Sequence, residues 1–137
     1  MPGRIRGTHH VAVQVRDLAA AEAFYAKVLG LTVRERFFEP DGVARSVWVE
    51  LGDGSFLALE KSASGASPAG FGRPFKDGHA GWHLLALRIG PDERAGWEDH
   101  LRACGVEIEF RSRWTLYVRD PDGNRVGLSH HPDDPTP

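Results

Sequence analysis

With 137 residues, a formal net charge of −2 and 41% hydrophobic against 26% charged side chains, the chain has the composition of an ordinary globular domain. That length buries a sizeable core without disulfides or a structural metal. The near balance of charge, with Arg and Lys spread along the chain, excludes a nucleic-acid binder driven by a strong basic field. Apolar runs fall far short of a membrane span, Met1 to Gly7 lacks the apolar segment of a secretory signal, and a lone Cys104 forms no internal disulfide. The expectation is one domain, 1–137, located in the cytoplasm, with no nucleic acid and no membrane among its partners.

Thr8 to Val15 alternates strictly, putting Val11, Val13 and Val15 on one face and His10, Ala12 and Gln14 on the other, which predicts a half-buried strand. Asp17 stands as the N-cap of a helix over Leu18 to Leu29, with Ala21, Phe24, Tyr25 and Val28 on its apolar stripe and Gly30 as its stop. Strands follow at Leu31 to Phe38, Arg45 to Leu51 and Ser55 to Lys61, separated by Asp41-Gly42 and Asp53-Gly54 turns. Ser62 to Ala80, rich in Gly and Pro, reads as a connecting loop.

The order then repeats. Gly81 to Ile89 is a strand and Pro91 to Cys104 a helix closed by Gly105; Val106 to Phe110, Trp114 to Arg119 and Asn124 to Ser129 are strands. His10 to His83 is 73 positions and Gly30 to Gly105 is 75, the nearly constant separation of a duplicated module. The fold class is therefore α+β, two βαβββ modules (8–61 and 81–131, then a tail 132–137) forming a curved mixed sheet around an open cup.

His10 opens the first strand of one module, His83 opens that of the other, and Glu60 lies near the end of the first module's last strand. Two imidazoles and one carboxylate from separate strands would make a facial triad for a divalent metal. The bland alternative makes His10 a hydrogen-bonded residue, His83 its repeat counterpart and Glu60 a solvated strand end.

Four segments carry a resemblance: HHVAVQVRDLAAAEAFYAKVLGL (His9 to Leu31), FLALEK (Phe56 to Lys61), GWHLLALRI (Gly81 to Ile89) and LYVRDPDGNRVGL (Leu116 to Leu128). In order and over nearly the whole chain, they resemble the vicinal oxygen chelate superfamily of glyoxalase I, fosfomycin-resistance enzymes, methylmalonyl-CoA epimerase, extradiol dioxygenases and bleomycin-resistance proteins. The resemblance implies metal ligands at His10, Glu60 and His83. Its fourth ligand position, usually Glu, falls on Gly127, the main departure. It implies a divalent cofactor (Fe, Mn, Ni, Co or Zn) or none, a homodimer, and a metal-dependent isomerase, lyase or dioxygenase that chelates vicinal oxygens of a small substrate. The other branch it implies is a metal-free binding protein like the bleomycin-resistance proteins. A glycine at 127 leaves room for substrate, and Gly127→Glu is expected to tighten metal binding at small backbone cost.

Tyr117 matches a Tyr that stands near the metal-bound oxygen as a proton donor in extradiol dioxygenases; Tyr117 and Glu60 are thus the catalytic candidates, against plain aromatic packing for Tyr117. Phe71, Phe75, Trp82 and Trp114 are expected at the cup mouth as contacts for an aromatic substrate body. His79 and His83 are not a helical zinc pair, His130 and His131 belong to a solvated tail, Cys104 is a small buried residue, and Asp120 to Gly123 is turn chemistry.

Overall fold

The computed structural model describes residues 2–64, 75 and 80–137. The chain divides into two compact units, Met1–Gly65 and Ala66–Pro137, and both carry the α+β, βαβββ plan.

In the first unit β1 (His10–Val15) leads into α1 (Leu18–Glu22), which continues as a π-wound segment over Ala23–Val28; β2 (Val33–Phe38), β3 (Ala44–Glu50) and β4 (Phe56–Lys61) follow. The sheet order is β1-β4-β3-β2. β1 runs parallel to β4, a pairing that the intervening helix makes possible by carrying the chain back across the sheet. Asp17 caps α1 by accepting from the Ala20 amide at 3.1 Å. Val15, Val47, Val49, Leu57 and Leu59 line one face of the sheet and are buried, as are Leu18, Ala21, Phe24 and Tyr25 of the helix, which packs on β3 and β4. Each such large side chain contributes about 1.5–3 kcal/mol.

The second unit repeats this: β5 (Leu85–Arg88), a 3₁₀ turn (Pro91–Glu93), α2 (Arg94–Ala103), β6 (Phe110–Arg111), β7 (Thr115–Arg119) and β8 (Arg125–Ser129), in the order β5-β8-β7-β6 with β5 parallel to β8. Leu101 of α2 and Leu116, Val118, Val126 and Leu128 of the sheet form its core.

Strands begin later than alternation predicts wherever a helix has to be closed. Gly30 (φ +74°) and Gly105 (φ +72°) turn left-handed, and Leu31 and Val106 donate their amides back to Tyr25 and Leu101 carbonyls. Residues spent on closing the helix are lost to the strand. The first helix is also not uniformly α, since the Leu29 amide reaches Phe24, five residues back. Two expectations about single residues are corrected. Cys104 is exposed, its Sγ 3.7 Å from His100 Nε2 one helical turn away. His130 is buried, not in a solvated tail: it bonds the Asp133 carbonyl through Nδ1 and Arg94 through Nε2. The Asp120 to Gly123 segment is a turn, Asp120 accepting from the amides of Asp122 and Asn124.

Candidate functional site

Because side chains alternate across a strand, register decides what shares a face. In the first unit, β1 pairs His10 with Phe56, Ala12 with Ala58 and Gln14 with Glu60; β3 pairs Trp48 with Ala58 and Ser46 with Glu60. These residues, with Phe37 opposite Ser46, make up the face away from the helix. Four rings cross it, one from each strand: Phe37 to Trp48 at 4.7 Å, Trp48 to Phe56 at 4.2 Å, Phe56 to His10 at 4.9 Å. Arg34 lies 4.6 Å over Phe56 and forms a bidentate pair with Glu50 at 2.7 Å. This pair raises the Arg34 pKa and holds the Glu50 carboxyl below its ordinary value, chiefly through the hydrogen bonds between them. His10 Nδ1 lies 2.8 Å from His9 Nδ1; with His10 as donor, its Nε2 keeps an open lone pair.

In the second unit β5 and β7 pair Ala86 and Tyr117 with Gly127, while Arg88 and Thr115 pair with Ser129. Ala86 is thus the repeat equivalent of Ala12, and Gly127 that of Ala58. Ala12 to Ala86 is 74 positions, and 74 beyond His10 is Leu84, not His83. The difference of one residue matters because it reverses the face. Leu84 Cδ1 lies 2.7 Å and Thr115 Cγ2 2.9 Å from where a Cβ on Gly127 would stand. An isobutyl group fills the space that the glycine leaves. Gly127 has no left-handed φ, so the glycine is required by this close approach and not by backbone angle.

His83 is held elsewhere. Arg125 Nη1 lies 3.0 Å from His83 Nδ1 and donates to the His83 carbonyl at 3.0 Å. A guanidinium has no acceptor, so Nδ1 of His83 accepts and the neutral ring carries its proton on Nε2, which presents a donor and no lone pair. Arg125 is buried and paired with Glu109 at 2.8 Å, which also pairs with Arg119. Phe75 stacks on Phe110 at 4.4 Å and meets Tyr117 edge-on at 4.8 Å and His83 at 5.5 Å. Tyr117 therefore sits in an aromatic cluster opposite Gly127. Trp82 is 96% exposed. Trp114 packs beside His130 and His131 under Arg113, at the chain's end. Phe71 and His79 lie outside the described residues.

The family model for the Glyoxalase/Bleomycin resistance protein/Dioxygenase superfamily matches residues 7–128. The chain belongs to this superfamily. It is 37% identical over 81 residues to the mitochondrial methylmalonyl-CoA epimerase of Bos taurus, a match covering 59% of this chain and 45% of the epimerase, so the chain matches less than half the length of that relative. Its fold is similar to that of a glyoxalase/dioxygenase from Nostoc punctiforme (TM-score 0.75, 22% identity, 97% of this chain and 96% of the other). It is also similar to the fosfomycin resistance protein FosX of Listeria monocytogenes (0.70, 16%, 93% of each) and the trypanothione-dependent glyoxalase I of Leishmania major (0.67, 19%, 92% and 87%). One FosX structure was solved in complex with Mn(II).

The residues of this superfamily member do not fit such an ion. The resemblance puts the last-strand ligand position of the second unit at Gly127, and the register pairs Gly127 as it pairs Ala58, not Glu60, in the first. The four repeat-related positions are therefore His10, Ala58, Leu84 and Gly127, which offer one donor among them. Glu60 shares the face of His10 but is paired with Gln14, four positions along β1 from His10, a separation of about 13 Å between backbones. Among the described residues no three His, Cys, Asp or Glu side chains gather where an ion could bind. Sequence reading missed Leu84, Ser46, Trp48 and Phe37; the alternation of Ser46 and Trp48 with Val47 and Val49 was the available signal.

Proposed function

We propose that the chain is a small-molecule-binding member of the superfamily that takes a planar aromatic ligand on the aromatic face of its first sheet without a divalent ion. The observation that carries this reading is the row of four rings, one from each strand, on the sheet face turned away from α1. Such a surface gains by covering apolar area and by offset or edge contacts with a flat partner. The position of Leu84 against Gly127 supports the absence of the ion: it replaces ligating atoms by close apolar packing.

Fluorescence titration with planar aromatic compounds tests it. Quenching or a blue shift that vanishes in Trp48→Ala is expected, and binding that survives that substitution overturns it. A homodimer, with its 15.1 kDa chains paired, belongs to the same reading, and sedimentation measures it.

The likeness to methylmalonyl-CoA epimerase favours a second reading, a metal-dependent enzyme in which His10, Glu60 and His83 hold the ion and Tyr117 assists. Equilibrium dialysis against Mn(II), Fe(II), Co(II), Ni(II) and Zn(II) separates the two. The first reading expects no stoichiometric uptake; near-stoichiometric uptake lost in both His10→Ala and His83→Ala would establish the second.

A further inference from the structure

We infer that Ser46 and Glu60 form the polar anchor of the aromatic site on the first sheet, and that its ligand is a planar aromatic ring bearing an N–H or O–H donor. The inference rests on the reading just proposed and names the ligand's chemistry.

Ser46 is 4% exposed, and its Oγ is buried with no hydrogen-bond partner, alone in this among the side chains of the described residues. A native fold seldom leaves a buried hydroxyl in that state. Its surroundings are specific. Ser46 lies on the central strand β3 between Phe37 and Glu60, its two register partners, and two residues from Trp48 on the same face. A hydroxyl, a carboxylate and two aromatic side chains thus stand at neighbouring positions of one sheet face.

The second unit supplies an internal comparison. Thr115 and Ser129 are the repeat equivalents of Ser46 and Glu60, and there the hydroxyl of Thr115 donates to Ser129 Oγ at 2.9 Å. The fold therefore brings this pair of positions within hydrogen-bonding reach, as cross-strand partners about 5 Å apart at Cβ should be. In the first unit the pair does not close on itself. Ser46 stays unpartnered and Glu60 is exposed.

The chemistry of the pair selects the ligand. A carboxylate only accepts, and a hydroxyl can accept. A donor placed between them satisfies both, while a ligand carboxylate is repelled by Glu60. Trp48 and Phe37 supply the flat walls, and a donor made acidic by its own aromatic ring gives the stronger, charge-assisted bond to Glu60.

Naphthol, naphthylamine, naphthalene and naphthoate, titrated calorimetrically into the full chain, test this. Naphthol and naphthylamine are expected to bind more tightly than naphthalene, and naphthoate least. Ser46→Ala should weaken naphthol about fivefold to tenfold, the worth of one hydrogen bond, while raising the melting temperature, since it removes an unpartnered buried hydroxyl. A structural role for Ser46 would lower the melting temperature and leave affinity unchanged. Glu60→Gln should weaken naphthylamine and relieve the exclusion of naphthoate. Naphthol binding unchanged in both variants but lost in Trp48→Ala overturns the anchor and leaves the aromatic site standing. No binding of any of the four to the wild type overturns both.

Discussion

Gly127 shows how one residue's volume decides chemistry. A methyl group there would meet Leu84 Cδ1 and Thr115 Cγ2 at under 3 Å, closer than carbon atoms approach. The leucine's far end can swing, but the threonine is buried in a strand and β-branched. Gly127→Ala is expected to cost about 1–3 kcal/mol by overpacking, and adding Leu84→Ala should recover part of that loss. Urea denaturation of the two single variants and the double variant measures the coupling; additive losses would show that Leu84 is not the obstacle. For Gly127→Glu the backbone angle is no obstacle, since Gly127 has no left-handed φ, but the expected room for a side chain or substrate there is corrected: Leu84 and Thr115 occupy it. At Glu50 the sign of a pH effect follows from its partner. Arg34 lowers the Glu50 pKa, so the pair's contribution is present above the unfolded carboxyl value of about 4.3 and is lost as pH falls through the lower folded value. Glu50→Gln should therefore flatten the acid side of the stability curve and leave it unaltered in shape above about pH 6, which melting curves over the acid range will check.

Elements of this chain are held by their ends as much as by their cores. The exposed tail 132–137 is fastened to the turn before α2, where Asp92 accepts from the Thr136 amide at 2.6 Å and from its hydroxyl at 2.8 Å. These bonds lower the Asp92 pKa, and Arg113 does the same for Asp134. The fastening should hold above about pH 4 and loosen as Asp92 protonates at lower pH. Amide exchange of Thr136 is expected to speed up on acidification and to be fast at all pH values in Asp92→Ala; pH-independent protection would mean that the tail is held otherwise. In the first sheet, β4 lies between β1 and β3 and its Leu59 is fully buried. Leu59→Ala should cost about 2–5 kcal/mol, measured by chemical denaturation, with the same slope if the fold is otherwise unaltered.

On the scale of the whole chain, two units built to one plan carry different chemistry. The order of elements, the helix caps and the glycine stops were legible in the sequence, because each depends on neighbours three or four residues away or on strict alternation; of the β1 valines only Val15 is buried, and Val11 is exposed. The duplication was legible too, though only approximately: helices and loops of unequal length blur the repeat distance, and His83 stands beside the true equivalent of His10. Only strand pairing counts residues across space, and it assigned that place to Leu84, moved the equivalent of Gly127 from Glu60 to Ala58, and turned His83 toward Arg125. The four-ring row and the unpartnered Ser46 were likewise decided by tertiary structure. Their rings and hydroxyl come from strands that are distant in sequence, and a side chain's neighbours across a sheet are set by hydrogen-bond register, which local composition does not encode.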